Sequence, residues 1–254
     1  MEKGNSMNLS ILLSTSTLLF TLVIIGAILC LPLYKWDIRA LLRSHLFTKI
    51  IWWIPLYLIL LGLLFLELPF ATLLVIALLI LAFKEFRRHS SQPPQFLETS
   101  YLVFFTLASF SIILIFGIFP TLVAVHLTLI ISFASVLSDV CAFFFGKYLP
   151  KHSLPHWVNP GKSWEGVAGQ VIGAFVGAAL LYIATGIEAS WLLILAIGVA
   201  SAAGDLFNSI VKRKLDIKDW GNTIPGHGGV LDRMSSLSTA FFVSFWLLFI
   251  SLFV

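Results

Sequence analysis

The chain has 254 residues, of which 59% are hydrophobic and only 11% charged, with a formal net charge of +4 and a mean hydropathy of +1.01. That composition excludes a soluble globular domain. The apolar runs are long enough for helices and lack the every-second-residue alternation of barrel strands, so the chain reads as an all-α polytopic integral membrane protein. The positive balance points to anionic headgroups and not to nucleic acid, and no nucleic-acid partner is expected.

In chain order, apolar runs predict about eight transmembrane helices at 9–33, 50–67, 69–83, 101–119, 121–138, 166–186, 190–208 and 236–254. The first reads as an uncleaved helix, because its apolar stretch of about 25 residues exceeds a signal h-region. The second and third form a tight pair across Glu67-Leu68-Pro69. Between the first two spans, Lys35, Arg39 and Arg43 recur every four residues. This fits a short helix lying on an anionic leaflet and equally a basic flank that anchors topology. The polar connector 84–100 contains Pro93-Pro94, which breaks helix, and no chemistry is assigned to it. Gly166, Gly169, Gly173 and Gly177 run down the start of the sixth span as a small-residue packing seam, within the protein or between subunits. Cys30 and Cys141 have no metal-ligand spacing and read as core thiols.

Apart from Lys3, every Lys and Arg lies in 35–49, 84–88, 147–162 or 212–233, which are alternate loops of this layout. The intervening turns at 67–69, 117–121 and 186–190 carry only Glu67 and Glu188. The positive-inside rule therefore places the basic loops in the cytosol and both termini outside. One membrane domain, 1–254, with chemistry-bearing motifs over 138–235 on the cytosolic face, is the expected organisation.

Polar residues cluster at that face. Ser138-Asp139, the segment NPGKSWEG from Asn159 to Gly166, and GDLFNS at 204–209 all fall at one depth. NPGKSWEG is not a Walker A loop, because the residue six before Lys162 is His156 and not glycine. Lys162 and the helix start behind it suit a phosphate, and suit a plain capping turn as well. His152 and His156 have helical i, i+4 spacing, but Pro155 lies between them and no third ligand follows, so no zinc site is expected. Gln170 and His126 read as internal hydrogen bonders.

The densest polar passage is SIVKRKLDIKDWGNTIPGHGGVLDR, Ser209 to Arg233. Ionised groups are kept beside hydrocarbon where chemistry needs them. Asp219 and Asp232 are hard oxygen ligands suited to Mg²⁺, Lys212, Arg213, Lys214, Lys218 and Arg233 can cancel phosphate charge, and His227 can donate to a phosphate or move a proton. Gly228 and Gly229 permit close backbone approach to a ligand.

This passage resembles the signature of the phosphatidate cytidylyltransferases, the CDP-diacylglycerol synthases, at Ser209, Lys212, Arg213, Lys218, Asp219, Pro225, Gly226, His227, Gly228, Gly229, Asp232 and Arg233. SDVCAFFFGKYL, NPGKSWEG and GDLFNS are similar to further blocks of that family, so the resemblance covers the chain from about 138 onward. It implies transfer of CMP from CTP to phosphatidate with release of pyrophosphate, a divalent metal, and a membrane homodimer. It further implies metal binding by Asp219 and Asp232 and phosphate binding by Lys212, Arg213 and Lys218, with Asp139 and Asp205 as further acidic candidates. Two positions depart from the family pattern: Ser235 stands where Asp-Arg-x-Asp is usual, and Asn208 where Glu is common. Rival readings are a CTP-dependent kinase of a polyprenol-type alcohol and a catalytically silent paralogue or lipid carrier. The concentration of charge at helix ends, away from mid-bilayer, counts against carriage.

Overall fold

The computed structural model describes residues 2–149, 151–224 and 228–253. Its long helices are α1 (Glu2–Cys30), α4 (Trp53–His89), α5 (Phe96–Ile118), α6 (Thr121–Tyr148), α7 (Trp164–Thr185), α8 (Trp191–Lys214) and α9 (Val230–Ser251), with short helices α2 (Ile38–Leu42) and α3 (His45–Ile51) after α1. These are the elements of an all-α integral membrane protein. Among the described residues the only strand-like pairings are two isolated bridges, Ser153 with Ser163 and Ile224 with Gly228.

Among the described residues seven helices are long and apolar enough to cross a membrane, against about eight expected spans, because the second and third spans form one element, α4, broken at Glu67. Glu67 takes the left-handed φ of 49°, and Pro69, two residues on, supplies no N–H to the helical ladder. The chain turns back on itself there. A Cβ on Gly62 would lie 2.5 Å from the Phe70 ring, whereas residues eight apart on a continuous helix are separated by about 12 Å. The two arms, 53–66 and 68–89, are thus the expected hairpin, with the Glu67 carboxylate accepting from Thr121 Oγ1 at 3.2 Å.

Helix ends overrun the apolar runs. α6 continues to Tyr148, α8 to Lys214 and the second arm of α4 to His89, while α9 starts at Val230. The polar residues of 139, 205–213 and 232–236 therefore stand on rigid helical extensions. Side-chain caps fix the starts of α7 and α8: Ser163 Oγ accepts from Gly166 N at 3.1 Å and Ser190 Oγ from Leu193 N at 3.2 Å. The region 35–47 does not form one amphipathic helix. Lys35 and Trp36 have positive φ, and Asp37 and Ser44 each cap a separate short helix.

The core is built from α4 to α9 with Leu18 of α1, and α6 runs closely along α7. The glycine seam is internal to the protein. A Cβ on Gly173 would collide with the Leu137 carbonyl and one on Gly177 with that of Phe133, so only glycine allows this approach. The seam brings Asp139 on α6 and Gln170 on α7 to the same level.

Candidate active site

Four helices and one loop meet around two carboxylates. Asp139 on α6 and Asp205 on α8 share a donor, Gln170 Nε2, at 3.5 and 3.4 Å. Ser236 on α9 donates to the other Asp139 oxygen at 3.0 Å. Lys162 reaches Asp205 from the loop before α7, with Nζ 2.6 Å from Oδ2 and 3.3 Å from the Asp205 carbonyl. That loop is held rigid by bonds from Leu154 N to the Lys162 carbonyl and from Trp164 N to that of His152, while His152 Nδ1 pairs with Glu165 at 2.7 Å. Arg233 on α9 acts electrostatically on Asp139, as does Asp205. Two like charges converge here with cations on either side. Half of this group, Lys162 and Asp205, stays about a quarter to a third exposed and so remains open to a ligand.

The other half of the expected site is arranged differently. Asp232 is 4% exposed and accepts three hydrogen bonds: Oδ1 from Lys212 Nζ at 2.6 Å, and Oδ2 from Trp220 N at 2.7 Å and Gly229 N at 2.9 Å. Lys212, at 12% exposed, is committed to this pair and not to an open cleft. Gly228 has φ +88°, and a Cβ there would lie 2.9 Å from Asp232 Oδ2, so the carboxylate selects the glycine. Gly229 gives its N–H to Asp232, which removes that donor from phosphate binding in this arrangement. Lys218 and Asp219 are exposed, Ser209 is buried, and the Arg213 Nε is buried without a hydrogen-bond partner among the described residues. His227 lies outside the described residues, with Pro225 and Gly226.

Mg²⁺ was expected at Asp219 and Asp232. Among the described residues no three His, Cys, Asp or Glu side chains converge on one point. Asp232 accepts three hydrogen bonds, and Asp219 is exposed with no partner among the described residues, whereas Asp139 and Asp205 share the Gln170 donor and Asp205 takes both of its contacts on Oδ2. The donor chemistry of the second pair fits a hard divalent ion better.

A model of the cytidylyltransferase family matches residues 9–252. The chain belongs to the cytidylyltransferase family. It is 41% identical over 108 residues to a phosphatidate cytidylyltransferase of Pseudomonas aeruginosa, covering 41% of this chain and 40% of that protein. It is 40% identical over 123 residues to one of Haemophilus influenzae, covering 44% and 42%. A Bacillus subtilis phosphatidate cytidylyltransferase matches at 39% over 103 residues, 39% of this chain and 38% of the relative. The chain thus spans about two fifths of the length of the curated relatives it matches.

The two departures of this cytidylyltransferase-family chain have structural partners. Asn208, 1% exposed, accepts through Oδ1 from Trp220 Nε1 at 2.7 Å and Tyr101 Oη at 2.9 Å. Trp220 is fully buried and stacks on Tyr101 with ring centroids 5.9 Å apart and planes 2° apart. A neutral amide here satisfies two neutral donors and buries no charge. Ser235 is 4% exposed and lines a narrow apolar cleft with Tyr101, Phe104, Phe105 and Gly204. Sequence reading missed Glu85, which lies in the connector assigned no chemistry. Its carboxylate accepts from Thr223 Oγ1 at 2.6 Å, Val230 N at 2.8 Å and Leu231 N at 3.0 Å. The available signal was one acid among the bases of KEFRRH at a helix end.

Proposed function

We propose that the chain transfers CMP from CTP to phosphatidate at the cytosolic face of the membrane. The observation that carries this reading is the convergence of Asp139 and Asp205 with Lys162 and Arg233 on the elements that hold the family's signature. A phosphate oxygen of phosphatidate attacks the α-phosphorus of CTP. One P–O bond forms, the bond between the α-phosphorus and its bridging oxygen breaks, and pyrophosphate leaves with that electron pair. The attacking phosphate is already an anion near neutral pH, so positioning and charge cancellation matter more than deprotonation.

Asp139 and Asp205 would hold Mg²⁺, which when bound neutralises charge developing on the phosphates. Lys162 orients Asp205 and adds a cation at the open side. Arg213 and Lys218 extend the positive surface toward the triphosphate, with Asp219 beside them. The buried Lys212–Asp232 pair fixes the loop that carries Lys218 and Asp219.

Purified protein given CTP labelled at the α-phosphate, Mg²⁺ and phosphatidate vesicles is expected to move the label into lipid and release unlabelled pyrophosphate. Release of labelled CDP, with transfer of the γ-phosphate to a polyprenol-type alcohol, would replace this reading with the kinase. The cytosolic placement rests on the alternate basic loops. With Cys30 and Cys141 replaced by serine, Asn222→Cys is expected to react with a membrane-impermeant thiol reagent only from the cytosolic side, and Glu188→Cys only from the other. Labelling of both from one side would overturn the topology.

A further inference from the structure

We propose that Glu85 is a positioning residue of the nucleotide site: from the end of α4 it caps α9 and ties Thr223 to the helix start, and so holds Asp232 and Arg233 in register with Asp139 and Asp205. The proposal rests on the CMP-transfer reading for its kinetic readout, but its geometry is independent of it.

The first N–H groups of a helix have no partner within the helix. α9 begins after Gly229, which has no side chain to cap it. Glu85 replaces the missing cap from 145 residues upstream, taking Val230 N on Oε1 and Leu231 N on Oε2. The same Oε1 takes the Thr223 hydroxyl, so one carboxylate ties the loop to the helix start. Gly229 is required by this approach, since a Cβ there would lie 2.5 Å from Glu85 Oε2. Glu85 is 7% exposed, and no ion pair to it occurs among the described residues. Three hydrogen bonds and the positive end of the α9 dipole stabilise the buried charge instead.

Asp232 works from the other side. Its Oδ2 holds Trp220 N and Gly229 N, so two carboxylates from distant parts of the chain clamp Trp220, Thr223 and residues 229–231. Asp232 and Arg233 stand in the first turn of α9, and Arg233 acts on Asp139. A shift of the α9 start therefore reaches the Asp139–Asp205 pair directly. Misplacement of about 1 Å is enough to cost two orders of magnitude in such chemistry.

Glu85→Gln conserves volume, but its amide N–H₂ meets either the Leu231 N–H or the donors now held by Oε1. The variant is expected to raise KM for CTP about tenfold while KM for phosphatidate stays within about twofold, a split that simple loss of folded protein does not produce. Glu85→Ala, which removes all three acceptor contacts, is expected to shift KM for CTP further in the same direction. Hydrogen exchange at the Val230 and Leu231 amides is expected to be at least about tenfold faster in Glu85→Gln. This measurement requires no turnover. Faster exchange in a protein that proves unable to transfer CMP would support the clamp and remove the CMP-transfer reading. Unchanged exchange together with unchanged KM for CTP would overturn the clamp.

Discussion

Asp205→Asn is expected to lower CMP transfer by about 10²–10³-fold, the loss that follows removal of one preorganised charge-stabilising group. The side chain is about one third exposed on α8, so the substitution leaves the packed core untouched. It removes the partner of Lys162 Nζ and half of the pair that Gln170 bridges. An amide is also a weak ligand for Mg²⁺ compared with a carboxylate. Asp219→Asn is the informative comparison, because that carboxylate is exposed and has no partner among the described residues. Initial rates measured across a Mg²⁺ titration separate the two assignments. With the metal at Asp139 and Asp205, Asp205→Asn needs more Mg²⁺ for half-maximal rate and Asp219→Asn does not. A Mg²⁺ requirement that moves only in Asp219→Asn would return the metal to the loop.

The contrast shows what the sequence carried. The membrane class, the hairpin at Glu67-Leu68-Pro69, the glycine seam and the family signature are local patterns, set by composition, proline and spacing. They were legible because each depends on neighbours within a few residues. The use of each carboxylate was not. Asp232 reads as a metal ligand in the string VLDR, yet whether its lone pairs are free depends on Lys212, Trp220 and Gly229 folding around it. Glu85 is invisible for the same reason, since its three donors lie at least 138 residues away. Helix ends were placed short wherever hydropathy fell, because α6, α8 and α9 turn polar on the face that builds the site while still paying no helical hydrogen bond for it. In sequence, Asn208 and Ser235 are departures from carboxylates of the family pattern. Their burial beside Tyr101 ties them to the packing that seats Trp220 and the start of α9.

Lys212→Met is expected to destabilise the protein by about 3–5 kcal/mol, because it leaves the Asp232 carboxylate buried without a counter-ion. With Asp232 only 4% exposed, solvent screens this charge little. Its two backbone donors, Trp220 N and Gly229 N, offset part of the cost and hold the carboxylate in place. Asp232→Asn in the Lys212→Met background removes the unpaired charge while its amide oxygen can still accept from those donors. The double variant should therefore unfold at a higher temperature in detergent than Lys212→Met alone, a coupling that a double-mutant cycle measures directly. The alternative from sequence is that Lys212 binds substrate phosphate. On that view Lys212→Met would keep the thermal midpoint of the unsubstituted protein and lose only CTP affinity, and Asp232→Asn would add nothing to stability. A lowered midpoint restored in part by the second substitution assigns Lys212 to the clamp. Lys162, Arg213, Lys218 and Arg233 then stand as the candidate phosphate-binding cations, on the loop before α7, the end of α8, the segment after it and the start of α9, with Lys162 paired to Asp205.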